Sequence, residues 1–363
     1  MLADAGFSVH LLTTPLPWAK DFVGFEHRNV AIKVLPAHAC RAIAAIRRAT
    51  EFTIALTALR HRCTNQRTVE IAYDPLGMLY SDIAPRKPRL RIAHFHECLQ
   101  RFESVWLERR LAKSIGRYQM VVVADQMRAS LLRDQLKMPN DPAVVSNFPL
   151  MESYLSREDV ERGGNGEFDV VYCGSIGLQQ RLDFIIESVV EWPNNAVFSI
   201  IGSDQSVIAK QLRELTIEKG VQGKVRFEGW MPYALMQRRL ERSDLGILLL
   251  DSSYEQFRTA LGASNKRYLY MQAGLPQIGD ENPGVKEFLE GHEIGRCVMS
   301  NSTSDLAKLV TEYAVDEGGR REAGRRARQL HRSAYNYEVA FRPVLNWVST
   351  QMEQQDKSVV QSL

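Results

Sequence analysis

The chain reads as an α/β protein made of two tandem Rossmann-like domains, each built around its own parallel sheet. Three observations predict this. Short β-rich runs alternate with longer helical patterns, the signature of βα units covered on both faces. The length, 363 residues, is about two domains' worth of chain. The alternation breaks once, at Asn147-Phe148-Pro149, and Gly163-Gly164-Asn165-Gly166 closes a polar stretch after it. The expected divisions are an N-terminal domain over 1–150, a linker over 151–167, a second domain over 168–335 and a closing helix within 336–363.

In the first half the strand candidates are Phe7–Thr13, Val30–Leu35, Val69–Tyr73, Leu90–Phe95, Met120–Ala124 and Ala143–Ser146, with helices expected over 38–62, 100–116 and 125–136. The second series runs Phe168–Cys173, Ala196–Ile201, Lys224–Phe227, Leu245–Leu250, Pro276–Gly279 and Arg296–Met299, with helices in the gaps. Apolar residues at Phe341, Val344, Leu345, Val348 and Met352 mark an amphipathic closing helix whose regular part is expected to start near Pro343, because proline suits a first turn. No repeat of 20–50 residues is found. Doubly wound domains normally begin with a central strand and a glycine-rich turn. Here the first strand candidate starts at residue 7 with neither before it, so a shortened or truncated N-terminal domain is expected. Ligands in such sheets bind beyond the strand C-termini, which places the expected site in the cleft between the domains.

Composition narrows the function classes. The chain is 45% hydrophobic and 25% charged, the profile of a globular protein. Five scattered cysteines, Cys40, Cys63, Cys98, Cys173 and Cys297, form no C-x-x-C pair, which argues against a disulfide framework or zinc knuckle and for a reducing compartment. No apolar run approaches the roughly 18–20 residues that span a bilayer, and the Met1–Phe7 opening carries an acid and no basic leader, so a cytoplasmic protein is expected. Residues 1–150 hold 21 Lys and Arg against 13 Asp and Glu, net +8; the remainder holds 25 against 30, net −5. That asymmetry points the N-terminal half at something anionic. Basic residues are not interleaved with stacking aromatics, which argues against nucleic acid.

Two stretches could hold phosphate. After the strand ending at Cys173 come Gly174-Ser175-Ile176-Gly177 and then Arg181, just before a helix. Glycines there let backbone approach a ligand, the helix N-terminus favours anions, and Arg181 adds forked donors. The pattern is neither G-x-G-x-x-G nor a Walker A, and a strand–Gly–helix turn is often purely structural. In Ala263-Ser264-Asn265-Lys266, Asn265 sits where an N-cap is expected and Lys266 enters the first turn of a helix that Gly274 ends. A lysine there opposes the helix dipole, so an anionic partner is expected unless it is merely a solvated surface residue. His94, His96 and Glu97 follow the Leu90–Phe95 strand; they serve either the cleft or the cap of the next helix.

These segments together resemble the retaining GT-B glycosyltransferases of family 4. The likeness covers most of the chain. Leu2-Ala3-Asp4-Ala5-Gly6-Phe7-Ser8-Val9 is similar to their L-A-x-x-G-H-x-V opening, and Val145-Ser146-Asn147-Phe148-Pro149 to the approach to their linker. Tyr172-Cys173-Gly174 resembles the start of their donor domain. Ile200-Ile201-Gly202 and Val225 to Gly229 resemble its next strand ends, and Asn265-Lys266 through Tyr270-Met271 to Gly274-Leu275-Pro276 their N-K-x-x-E-Y-M-x-x-G-x-P signature. The resemblance implies sugar transfer from a UDP- or GDP-linked donor to a polysaccharide or lipid-linked saccharide acceptor, with no cofactor and no metal, by a protein that is cytoplasmic or peripheral on the inner face of a membrane. It implies a donor-diphosphate site of Gly174, Ser175, Arg181 and Lys266, nucleotide contacts at Gly202, Gly229, Trp230, Met231 and Leu269, and catalytic roles for His96 and Glu97. An anionic membrane surface is then the expected partner of the basic half, through Arg41, Arg47, Arg48, Arg60 and Arg62. Three departures stand out. The family's E-x7-E carboxylates fall at Leu261 and Leu269, its first phosphate-binding arginine falls at Ser175, and the absent first strand removes its N-terminal glycine loop; the expectation is lower nucleotide affinity or a ribose held by another group such as Asp280, Glu281 or Glu255. The rival reading is therefore a catalytically silent homologue that binds a sugar nucleotide or a partner.

Overall fold

A computed structural model describes residues 1–13, 27–35, 41–63, 68–99, 104–151, 166–298 and 301–360. Most of the expected linker, the start of the 38–62 helix and the start of the 100–116 helix lie outside those residues. The chain divides into two units, Met1–Val145 with Phe341–Leu363, and Ser146–Ala340.

The first unit contains β1 (Val9–Thr13), β2 (Val30–Val34), α1 (Arg41–Arg62), β3 (Val69–Tyr73), α2 (Asp74–Ile83), β4 (Leu90–Phe95), α3 (Val105–Ser114), β5 (Met120–Val123), α4 (Gln126–Leu136) and β6 (Ala143–Val144). Every strand pairing is parallel, but β3-β4-β5-β6 make one sheet and β1-β2 another. In doubly wound order the first strand sits centrally, between the second and the fourth. Among the described residues no strand joins β1 to β3. The burial agrees: β4, flanked on both sides, is buried along its whole length, whereas β1 and β2 are half-exposed.

Helix α2 is absent from the expectations above. It follows β3 with no spacer, so no turn signal announces it. Asp74 makes the reversal in the left-handed region (φ 55°), and Pro75 sits in the first turn, where its fixed φ suits a helix. Arg60 also corrects an expectation. It is buried, paired in a fork with Glu70 at 2.7 and 2.8 Å, and donates to the carbonyls of Ser81, Ala84 and Pro85, so its charge is spent inside the unit. Arg62 is exposed, while the side chains of Arg41, Arg47 and Arg48 lie outside the described part.

The second unit contains β7 (Phe168–Cys173), α5 (Leu182–Ser188), β8 (Ala196–Ile201), α6 (Val207–Glu218), β9 (Val225–Gly229), α7 (Tyr233–Glu241), β10 (Leu245–Leu248), α8 (Glu255–Arg258), α9 (Asn265–Ala273), β11 (Gln277–Gly279), α10 (Val285–Gly291), β12 (Gly295–Cys297), α11 (Thr303–Val315) and α12 (Glu317–Ser333). Its parallel sheet runs β12-β11-β10-β7-β8-β9, a doubly wound order in which β7 starts the unit at the switch point. The runs in β7, β8 and β10 are mainly apolar because helices cover both faces, and all their residues are buried, Asp169 and Ser199 being the polar exceptions. Across β7 to β9 one cation ties helix to sheet. Arg239 of α7 donates to Glu228, to Asp169 at 2.8 Å and to Ser199 at 2.9 Å.

The closing helix α13 (Tyr337–Val360) starts before Pro343 and carries that proline inside it. Asn336 explains the early start. Its Oδ1 accepts from Val339 N at 3.0 Å, a side-chain cap on the first turn, and its Nδ2 donates to the carbonyls of His331 and Arg332.

Candidate functional site

In the second unit the C-terminal ends of three adjacent strands meet. Gly174 N donates to Ile201 O at 2.8 Å and Gly202 N to Gly229 O at 3.0 Å, which stitches the ends of β7, β8 and β9 into one rim. Side chains are excluded from it. A Cβ on Gly202 would collide with the Gly174 carbonyl, and one on Gly174, itself at φ +146°, with the Lys266 stem. The glycines are there because backbone and a lysine stem fill the space a side chain would need.

Lys266 is partly buried in the first turn of α9, laid along Gly174, and makes no hydrogen bond or ion pair with any described residue. Burial, and the Arg267 guanidinium next to it, lower its pKa. The helix carrying it is anchored from beneath. Tyr270 Oη donates to Ile247 O at 3.1 Å and accepts from Cys173 N at 3.2 Å, and the ring fills the space beside Gly246. Ser264, not Asn265, is the N-cap residue, and Asn265 opens the helix. The rim therefore presents backbone, an unpartnered ammonium and a helix N-terminus, which is an arrangement that attracts anions.

The other expected residues are placed as follows. Ser175 is exposed in the loop after β7, its carbonyl accepting from Tyr172 Oη at 2.6 Å. Arg181 caps α5 in the left-handed region (φ 48°), donates to Asn301 at 2.8 Å and stacks on Phe184 at 4.3 Å. No described contact joins it to Lys266. Trp230 is exposed beyond β9, and Met231 packs against the core. Leu269 is 4% exposed and belongs to that core, so its side chain is turned inward. Asp280, one of the three residues expected to replace the missing ribose carboxylate, is buried and occupied. It accepts from Arg267 at 2.7 Å, Leu250 N at 3.0 Å and Asn282 N at 2.9 Å. Glu281 is exposed.

In the first unit, β3 and β4 deliver a second cluster. The rings of His94 and His96 stack with centroids 4.5 Å apart, and Tyr73 lies 4.9 and 5.6 Å from them. Asp74, which the sequence reading missed, organises the cluster: its Oδ1 accepts from His96 N at 2.8 Å and Glu97 N at 3.1 Å. Its signal was an Asp-Pro pair directly at a strand end. Arg128 donates to the His96 carbonyl at 2.5 Å. Burial raises the Asp74 pKa against the pull of those two amides. Burial also lowers that of His96, opposed by the Asp74 and Glu97 carboxylates, and pushes His94 down to about 3. Both imidazoles are thereby held neutral at pH 7, able to donate and accept one hydrogen bond each. No group of three His, Cys, Asp or Glu among the described residues is arranged to hold a metal ion.

The second unit is doubly wound with glycine-rimmed strand ends, and the first holds parallel strands with a histidine-bearing strand end. Residues 180–346 match the family described as glycosyl transferase-like. No curated protein matches the chain. Among solved structures the chain is similar over its whole length to sucrose-phosphate synthase from Thermosynechococcus elongatus, with TM-score 0.73, 13% identity and 91% of that chain covered. Over 94% of its length it is similar to WaaG, a glycosyltransferase involved in lipopolysaccharide biosynthesis, with TM-score 0.63, 12% identity and 91% of that chain covered. Anabaena HepE in complex with UDP and glucose aligns with 92% of the chain, with TM-score 0.62, 14% identity and 86% of that chain covered. The chain therefore has the fold of the GT-B structures it is similar to, and its residues 180–346 carry the glycosyl transferase-like match.

Proposed function

We propose that the protein transfers a sugar from a UDP- or GDP-linked donor to a saccharide or lipid-linked acceptor, with retention of configuration, at the cytoplasmic face of a membrane. One observation carries this reading: Lys266, partly buried at the N-terminus of α9 against Gly174, is a cation with no partner among the described residues. A nucleotide diphosphate satisfies it. As the glycosidic bond to the diphosphate breaks, charge grows on the leaving oxygen, and the ammonium and the first-turn amides of α9 stabilise that charge more than the ground state. Gly174, Gly202 and Gly229 let the diphosphate approach backbone. Trp230, exposed at the same edge, offers a face for the base. Arg181 joins the phosphate ligands on release from Asn301. His96, neutral and positioned through Asp74, orients the sugar or acceptor, with Glu97 beside it. HepE is described in complex with UDP and glucose, which supports a nucleotide-sugar donor here as well.

The rival reading, a catalytically silent homologue, draws on one specific observation: Leu269 is an inward-facing leucine where the family has a carboxylate, and Asp280, a candidate to replace it, is already occupied. Calorimetric titration with UDP, GDP and their sugar conjugates, with NAD as control, tests the donor reading. Binding of one nucleotide class that is lost in Lys266→Ala supports it, and no binding by the folded protein refutes it. Slow release of free sugar from the bound conjugate then marks the active enzyme. Tight binding with no turnover marks the silent one.

A further inference from the structure

We infer that the outer face of α3 docks the protein on an anionic lipid surface. This deepens the membrane part of the proposal above and rests on it, while standing apart from the donor site. The helix has two faces. Leu107, Leu111 and Ser114 turn into the unit, and the Ser104 hydroxyl caps the first turn by accepting from Leu107 N at 3.3 Å. On the outside, Val105, Arg109 and Lys113 recur every fourth residue, with Trp106 and Arg110 on the adjoining row. Val105 is 62% and Trp106 61% exposed, an unusual cost for two large apolar side chains in one turn. All three basic side chains beside them are exposed and make no ion pair with a described residue. The only acid in the helix, Glu108, lies toward its flank.

An exposed tryptophan beside three exposed cations that no described residue neutralises matches the chemistry of a bilayer interface. The indole seats at headgroup depth while the arginines and lysine meet anionic phosphates. The inward face of α3 is already packed, so contact is by the outer face lying flat. No described helix is long and apolar enough to cross a membrane. Unlike Arg60 of α1, which is consumed internally, these side chains are exposed.

The test is flotation of the full chain with vesicles of phosphatidylcholine containing about one third phosphatidylglycerol, beside vesicles of phosphatidylcholine alone. A basic residue at an anionic surface multiplies partitioning by about fivefold at low salt. The charge-reversed variant R109E/R110E/K113E is therefore expected to lose at least a hundredfold, and Trp106→Ala to lose several-fold with a smaller fluorescence blue shift on mixing. The control K210E/K286E/K308E reverses three exposed lysines of the second unit and keeps binding within a few-fold. Circular dichroism confirms that each variant is folded. Equal loss in the two triple variants, equal binding to neutral vesicles, or binding only to a soluble polyanion overturns the inference. Nucleotide titration is unaffected by any of these substitutions, so failure here and failure of the donor reading are distinguishable.

Discussion

Replacing Lys266 by methionine should make the protein more stable and a poorer nucleotide binder at once. The side chain lies along Gly174 with its ammonium unpaired among the described residues, and burial disfavours the charge. Methionine keeps the stem and close to the volume while removing that charge, so about 1–2 kcal/mol of stability is gained from relieving an uncompensated polar group. Loss of a charged partner for phosphate costs about 1.5–3 kcal/mol of binding, or roughly ten- to 150-fold in Kd. A second signature concerns pH. A lysine whose folded pKa is lowered leaves the unfolded chain holding more protons between that value and the ordinary one near 10.5, so its contribution to stability rises with pH across that alkaline window. The methionine variant lacks this rise. Urea unfolding of both proteins from pH 7 to 10, with calorimetric titration of UDP and GDP, reads all three effects. A methionine variant that is less stable, or that binds as tightly as the parent, refutes the claim that this lysine is kept for an anion.

Gly174→Ala should abolish nucleotide binding and destabilise by about 1–3 kcal/mol, because the new methyl meets the Lys266 stem at a positive φ; calorimetry and urea unfolding report both. Arg60→Ala should cost about 3–5 kcal/mol by leaving Glu70 and three carbonyls without their donor, while Arg62→Ala should lie within about 0.5 kcal/mol; equal effects in urea would contradict the buried role of Arg60. His94, with a pKa of about 3 against 6.5 unfolded, should make stability fall as pH drops below 6.5, by up to about 1.4 kcal/mol per pH unit until about pH 3. His94→Phe should flatten that part of the acid limb, and an unchanged slope would show that the imidazole protonates without penalty.

Much of this was legible in the chain because it is local. Mainly apolar runs announced β7, β8 and β10, since strands covered on both faces have no solvent-facing side. Glycine after β7 and a lysine entering α9 each marked an anion-friendly position without reference to the other. Helix α2 was not legible, because a ten-residue helix that follows its strand without a spacer carries neither a turn signal nor a long period. Asp74 was missed because its role depends on two amides contributed by the loop after the next strand, β4.

By itself the sequence determined the α/β class, the order of the strands, and the strand-end positions where a ligand meets backbone; all of these follow from periodicity and turn chemistry within a few residues. Only the tertiary structure decided which charges are spent and which remain. It paired Arg60 with Glu70 and Arg267 with Asp280, turned Leu269 into the core, and left Lys266 against Gly174 and the α3 cations against solvent. A charge is free or satisfied according to what packing brings within hydrogen-bond reach, and those partners come from distant segments that no local pattern specifies.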